Sequence, residues 1–385
     1  MKIAFDNMGL GLTNGNSSYT TGLIKALASE FPDDEYHVFS LMRRKRWTQS
    51  VVGELPAVKI SSSLYHPLVL GKFFSPMVNN INTAIIRHTI SRIKKADIYH
   101  CTNPIYFTYG IKRPVVTIHD LIALKEEDWS TQGSKKFYRH NIARIISEAE
   151  AVFTVSNHTR NDVLHHFPEA KEKIFVTYLG IGDRYRYLPD LDRSFLNAFG
   201  YPQDNPPFLL YVGETQPRKN VHGLITAFAE LSSSLLKKYH LVVVGNSRRD
   251  DYREKLVALV NGKGVSDRVH FYNNVSNDDL VKFYNAAHAF VFPSFYEGFG
   301  IPVAEAMKCG CPVLTSTSSS LPEVGGEAVL YADPNDIDML KEKLKQIIED
   351  EDLRNKLREK GFVQVEKFTW KKSAELTHAV YLKMI

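Results

Sequence analysis

The sequence predicts an α/β protein of two Rossmann-like, doubly wound domains facing each other across a cleft, and three observations carry that. Short apolar runs alternate with helical stretches along all 385 residues. The runs are almost unbroken in apolar character, as strands of a parallel sheet covered on both faces must be. Turn formers cluster in mid-chain, at Tyr187-Leu188-Pro189-Asp190 and Gly200-Tyr201-Pro202, where two domains can join. The length suffices for two cores, and 44% hydrophobic with 24% charged residues is ordinary for a globular chain. Ligands of such sheets bind at the carboxyl ends of the strands, so the cleft is the expected site.

The elements follow in order. In the first half KIAF (2–5), HVFSLM (37–42), ADIYHCT (96–102), VVTIHD (115–120) and AVFTVS (151–156) read as strands. In the second half PFLLYVGE (207–214), HLVVVG (240–245), VHFYNN (269–274) and AFVFPS (289–294) do the same. Asp6 interrupts the first apolar run at once, so it reads as a strand and not as a signal peptide. No stretch approaches the roughly 18 uninterrupted apolar residues of a membrane span. The three cysteines, Cys101, Cys309 and Cys311, are odd in number and lack metal or redox spacing; they are expected as small buried residues of a cytoplasmic protein.

Charge is uneven. Residues 1 to 185 hold 23 Lys+Arg against 17 Asp+Glu, leaving 25 against 26 for the rest of a chain of net +5. The clusters are Arg43-Arg44-Lys45-Arg46, Arg92-Ile93-Lys94-Lys95 and Lys135-Lys136-Phe137-Tyr138-Arg139. Two readings stand: a solvated basic face, or attraction to an anionic membrane or a phosphate-bearing acceptor. For the second, residues 61 to 95 interleave Leu64, Tyr65 and Phe73 with Lys72, Arg87 and Lys95. No nucleic-acid motif accompanies the charge, so nucleic acid is not an expected partner.

The chemistry concentrates in SFYEGFGIPVAEAMKCGCPV, residues 294 to 313. Glu297 lies in a turn bounded by Gly298 and Gly300. Glu305 lies in the helix that Pro302 opens, as its expected first residue, and Gly310 ends. A helix opening after a glycine-rich turn presents free N–H groups to an anion, while acids suit hydroxyls. A ligand with both is a sugar nucleotide. A second stretch, Tyr211 to Asn220, places Arg218 and Lys219 at a strand-to-helix turn. Cations there oppose the helix dipole but suit a diphosphate. Third, His119 and Asp120 end a strand, with Asp120 as an orienting partner. Ser156 also ends a strand but serves equally as a helix N-cap and is left out of the site. Finally, Gly9, Gly11 and Gly15 make a glycine-rich turn after the first strand, where backbone can approach a ligand.

The first of these stretches resembles the E-x7-E segment of the retaining glycosyltransferases of family 4, or group 1, which have the GT-B fold. The Arg218-Lys219-Asn220 turn resembles the same family's phosphate-binding segment. The resemblance implies that Glu297 contacts sugar hydroxyls and Glu305 the ribose. It implies that the backbone of Phe299, Gly300 and Ile301 meets sugar and phosphate, and that His119 faces the donor sugar. Gly15 would lie by the donor, although Asn14-Gly15-Asn16 departs from the adjacent glycines usual there. The tail Phe368-Thr369-Trp370-Lys371 resembles a final segment crossing back to the first domain. The domains are therefore expected at 1–187 plus 370–385, and at 188–369. The implied activity is a retaining, metal-independent hexose transfer from a GDP- or UDP-linked sugar, with no cofactor. The acceptor would be a glycan or lipid-linked saccharide of a surface polysaccharide, for an enzyme in the cytoplasm or on the inner face of its membrane. Mannose is preferred, since the segments around His119 and Arg139-His140-Asn141 resemble mannosyltransferases. Two rivals share part of the pattern. A nucleotide-sugar epimerase has the same fold, but no signature of one is present. An NADP-dependent oxidoreductase would account for Gly9, Gly11, Gly15, Arg43 and Arg44 but leaves Glu297, Glu305, Arg218 and Lys219 unexplained.

Overall fold

The structure, a computed structural model, describes residues 1–6, 15–41, 52, 55–63, 95–107, 110–247 and 250–385. The expectations for Gly9, Gly11, the cluster at Arg43 and residues 64–94 lie outside them. The described chain forms two compact units, Met1–Gly180 with Thr369–Ile385, and Ile181–Phe368.

In the first unit the described strands are β1 (Lys2–Asp6), β2 (Glu35–Leu41), β3 (Val58–Ser63), β4 (Ile98–Cys101), β5 (Pro114–Ile118), β6 (Ala151–Thr154) and β7 (Ile174–Val176). They form one parallel sheet in the order β3-β2-β1-β4-β5-β6-β7. Every residue of β4, β5 and β6 is buried, which is why those runs carry so few polar residues. The order reverses between β1 and β4, the switch point where the loops after these strands splay apart.

The helix Trp370–Met384 belongs to this unit, as residues buried within it require. Tyr381 bonds through its hydroxyl to His100 Nδ1 of β4 at 2.5 Å, and His378 Nε2 meets Asp34 Oδ2 at 2.8 Å. Thr369 caps the helix by accepting the Lys372 N–H. Trp370 fits only because glycines face it: a Cβ at Gly22 would sit 2.1 Å from the indole, and one at Gly180 2.2 Å from the Trp370 nitrogen.

The second unit contains β8 (Phe208–Val212), β9 (His240–Val244), β10 (Val269–Tyr272), β11 (Ala289–Phe292), β12 (Val313–Ser316) and β13 (Leu330–Ala332). The sheet is again parallel, ordered β10-β9-β8-β11-β12-β13. Its reversal falls between β8 and β11. The two motif-bearing turns are the ones that follow these two strands. Sheet order thus brings together stretches some 80 residues apart, a placement that spacing along the chain does not reveal.

Three features differ from the sequence reading. The unit boundary falls after Gly180 and after Phe368, ahead of the expected joins, because residues 181–188 pack on the second unit. Lys308 Nζ bonds to the carbonyls of Ile181 and Gly182 and to Asp183, and Leu188 N–H donates to Asn285 Oδ1. Strands β3, β7, β12 and β13 had no assigned run: β7 and β13 are three-residue edge strands, β12 is interior but half polar (VLTS), and β3 reads VKISSS, too polar to signal burial. Pro302 is the second helical residue and not the first, still within the turn whose N–H groups lack intrahelical partners.

The Trp370 seat makes a prediction. Helix propensity alone favours Gly22→Ala by about 1 kcal/mol, but overpacking the indole costs about 1–3 kcal/mol. Urea denaturation of Gly22→Ala should show a net loss of stability; a gain would mean that the indole does not fill this space.

Candidate functional site

The turn after β8 runs through Pro217–Lys219 and then Asn220, which adopts a left-handed φ of 56° before the helix Val221–Ala229. The turn after β11 carries Glu297 and ends at Gly300, φ 107°, immediately before the helix Ile301–Lys308. A side chain at Gly300 would be strained at that φ and would meet Leu321 at 2.7 Å.

The two turns are joined by a buried charge group. Lys219 Nζ donates to Glu297 Oε1 at 2.6 Å, Arg218 Nη1 lies 3.1 Å from the same oxygen, and Ser294 Oγ donates to it at 2.6 Å. Arg218 also donates to the Tyr296 carbonyl, and the Phe295 N–H donates back to the Arg218 carbonyl at 2.9 Å. The Lys219 ammonium stands over the Phe292 ring, 5.0 Å from its centroid. The three charged side chains keep only 16%, 12% and 10% of their exposure, for Arg218, Lys219 and Glu297. Burial by itself would raise the Glu297 carboxyl. The charges of Arg218 and Lys219, with hydrogen bonds from Lys219 and Ser294, reverse this and hold it at about 2. Lys219 is lowered by burial, with Glu297 opposing.

Sequence reasoning missed the serines that set this turn. Glu297 N–H donates to Ser319 Oγ at 2.8 Å, while Ser320 Oγ donates to the carbonyls of Glu297 and Phe299 at 3.0 and 2.7 Å. Ser316 Oγ donates to the Ser294 carbonyl at 2.6 Å. The available signal was the run STSSS (316–320), which reads as a loop unless β12 is known to pair with β11.

Glu305 is set apart from that group and has the opposite character. It lies half-buried on the helix, accepts from Tyr284 Oη at 2.9 Å, and also bonds Tyr185. Burial raises its carboxyl to about 7, against those hydrogen bonds and the charge of Arg184. The structure therefore brings Arg218, Lys219, Glu297 and the Phe299-Gly300-Ile301 turn together, with Glu305 one helical turn on.

In the first unit His119 follows β5. Its Nε2 donates to the Thr102 carbonyl at 2.9 Å, which leaves Nδ1 as the acceptor, and Tyr19 packs edge-on at 4.8 Å between centroids. Burial lowers the imidazole, outweighing the Thr102 bond and Asp120, so the neutral form dominates near pH 7. Thr102, and not Asp120, makes the orienting bond: Asp120 Oδ1 accepts from the Ile122 N–H at 3.0 Å. Gly15 opens the helix Gly15–Glu30. Ser156 caps the helix Asn157–His166. Lys135 is buried, donating to the carbonyls of Glu126 and Glu127, and so tethers a loop instead of presenting a basic face. All three cysteines are buried and unbridged.

Comparison with known proteins gives the family. The description "Glycosyl transferases group 1" matches residues 194–364 and "Glycosyltransferase Family 4" matches 13–184. An O-antigen chain mannosyltransferase B of Escherichia coli is 32% identical over 291 residues, 74% of each chain. This chain belongs to glycosyltransferase family 4. A serotype-specific mannosyltransferase of E. coli is 28% identical over 279 residues, and this chain spans 34% of its length. Among solved structures, sucrose-phosphate synthase of Thermosynechococcus elongatus superposes with a TM-score of 0.79 at 21% identity, covering 100% of this chain and 98% of its own. HepE of Anabaena, in complex with UDP and glucose, gives 0.75 at 18%, with both chains fully covered. The fold of this glycosyltransferase is GT-B. Among the described residues no helix is long and apolar enough to cross a membrane.

The two acids should respond oppositely to neutralisation. Glu297→Gln leaves two cations buried without their counter-charge and should cost about 3–5 kcal/mol at pH 7. Because the Glu297 carboxyl is depressed, its stabilisation is present above the ordinary glutamate range and is lost as pH falls toward 2. Glu305 is raised, so its share of stability is present below that range and is lost as pH rises through about 7. Glu305→Gln should therefore exceed the parent by up to about 3 kcal/mol at pH 8, the gap narrowing to about 1 kcal/mol at pH 5. Denaturation series at pH 5 and 8 measure both, and equal effects of one sign would refute the contrast.

Proposed function

We propose that this glycosyltransferase is a retaining, metal-independent mannosyltransferase that uses a GDP- or UDP-linked donor. Its acceptor is a glycan or lipid-linked saccharide of a growing surface polysaccharide. The single observation that supports it most is the buried Arg218–Lys219–Glu297 group at the switch point of the second sheet. Two cations at strand ends suit a diphosphate, and Glu297 offsets their desolvation before the donor arrives, so little reorganisation accompanies binding. The O-antigen mannosyltransferases among its relatives support the sugar and the pathway class.

In this reading Arg218 and Lys219 hold the diphosphate, Glu297 and the N–H groups of the Phe299-Gly300-Ile301 turn read the sugar, and Glu305 takes the ribose hydroxyls. His119, neutral with Nδ1 left as its acceptor, orients the sugar by accepting from one of its hydroxyls. The acceptor oxygen attacks the anomeric carbon on the face from which the diphosphate leaves. The C–O bond to phosphate breaks as the new one forms, and the departing phosphate takes the acceptor's proton. No cofactor takes part.

Ribose hydroxyls donate to a carboxylate, so Glu305 must ionise to bind them. Calorimetry with GDP or UDP should show affinity about tenfold weaker at pH 6 than at pH 8 in excess of that seen for Glu305→Gln, which should flatten the difference. Arg218→Ala should lower turnover by about 10²–10³, more than it lowers donor affinity, because the charge it stabilises grows as the diphosphate departs. Product NMR decides the stereochemistry: a β-linkage from an α-donor would overturn retention.

The enzyme works in this proposal on the inner face of the cytoplasmic membrane, drawn there by basic residues of the first half. Flotation with anionic and neutral vesicles checks this; equal recovery would count against it.

A further inference from the structure

A second basic site lies at the opposite end of the same strands that carry the donor motifs. Pro207, just before β8, and Ala287 with His288, just before β11, line a cavity of about 300 Å³. Arg193, Arg354 and Arg358 converge on it, with His288 in the wall, and the acid lining it is the exposed Glu351. This clustering is not a by-product of overall charge, since residues 186–385 carry 25 basic against 26 acidic side chains.

The three guanidinium groups are positioned by neutral partners. Arg354 Nη1 donates to the carbonyls of Ile347 and Ile348 at 3.0 and 2.7 Å, at the end of the helix Ile337–Glu349. Arg358 Nε donates to the Gly310 carbonyl at 2.9 Å and its Nη1 to Asn355 Oδ1 at 3.4 Å. Arg193 Nη2 donates to the Pro206 carbonyl at 3.2 Å, its guanidinium stands 5.6 Å from the Phe208 ring centroid, and its buried Nε has no hydrogen-bond partner. None of the three forms an ion pair with a carboxylate among the described residues. Buried and half-buried cations are ordinarily paired. Arginine forks held by neutral acceptors, each with further N–H groups beyond those bonds, match the several oxygens of a phosphate.

We propose that this cavity is a phosphate-binding site, taking free phosphate or the phosphate of a small phosphomonoester, distinct from the donor site. Three arginines around one cavity neutralise a dianion, and a volume at the lower end of ligand pockets leaves room for a small body attached to it. The last turn of the helix Asn277–Ala286 carries both Tyr284, which bonds Glu305, and Ala286, which lines the cavity. Occupancy is therefore placed to reach the donor-side acid through one rigid element.

Calorimetric titration of the full chain with inorganic phosphate, and separately with mannose 6-phosphate, in a phosphate-free buffer tests this. The comparison variants are Arg218→Ala, which disarms the donor site, and Asn355→Asp, which keeps the acceptor for Arg358 but adds a negative charge to the cavity. Arg193→Lys keeps charge and removes the fork. The expected result is millimolar or tighter binding that survives Arg218→Ala and weakens at least tenfold in Asn355→Asp and Arg193→Lys, with affinity for the nucleoside diphosphate unchanged in Asn355→Asp. Tighter binding of mannose 6-phosphate would assign the site to phosphomonoesters, and equal binding to free phosphate. Proton NMR adds a readout that unfolding would not mimic. His288, which burial first and then Arg354 and Lys238 push down to about 4, should titrate higher with phosphate present. Loss of all phosphate binding in Arg218→Ala, or no effect of Asn355→Asp and Arg193→Lys, overturns the proposal.

Discussion

The second unit is organised around the placement of one negative charge against two positive ones in a nearly dry turn. Glu297 Oε1 receives Lys219, Arg218 and Ser294 at once. Removing Glu297 leaves both cations without their counter-charge in a turn that keeps only 10–16% of its side-chain exposure. The geometry is over-determined: the Ser316, Ser319 and Ser320 hydroxyls fix the backbone of the acid's turn, and the Phe295–Arg218 backbone bond fixes the two turns to each other. Such a site can be ready before its ligand arrives, which is where electrostatic catalysis gains most.

Glu305 shows the same residue type under opposite control. Tyr185 and Tyr284 bond it and Arg184 acts only as the smallest influence, so burial dominates and the carboxyl is raised where that of Glu297 is depressed. Two acids eight positions apart thus differ in protonation near neutrality. Divergent environments around paired acids are a general way for a site to divide its chemistry.

Packing of the first unit depends on a comparable but apolar constraint. Trp370 opens the final helix against two positions where any side chain would collide, Gly22 and Gly180. That one contact draws together the start of the chain, the end of its first unit and its last helix. His100, Thr117 and Tyr381 continue the join as a buried hydrogen-bonded line. A polar line of this kind is tolerated inside a core because its members satisfy one another.

The sequence by itself determined the fold class and most of the central strands, β12 with its polar VLTS being the exception. A strand buried on both faces must be apolar throughout, and such runs are legible without any structure. It also singled out Arg218 and Lys219 as site candidates, because cations at a helix start oppose the helix dipole and call for a partner. Edge strands such as β3, the serine scaffold around Glu297, and the Thr102 carbonyl that orients His119 left no comparable mark. Their roles arise from pairing across the sheet, and any polar loop residue would read alike along the chain. The tertiary structure alone decided that Glu297 is a counter-ion to Arg218 and Lys219 while Glu305 is held by tyrosines. Protonation depends on what surrounds a carboxyl in space, and sheet order, not spacing along the chain, sets those surroundings.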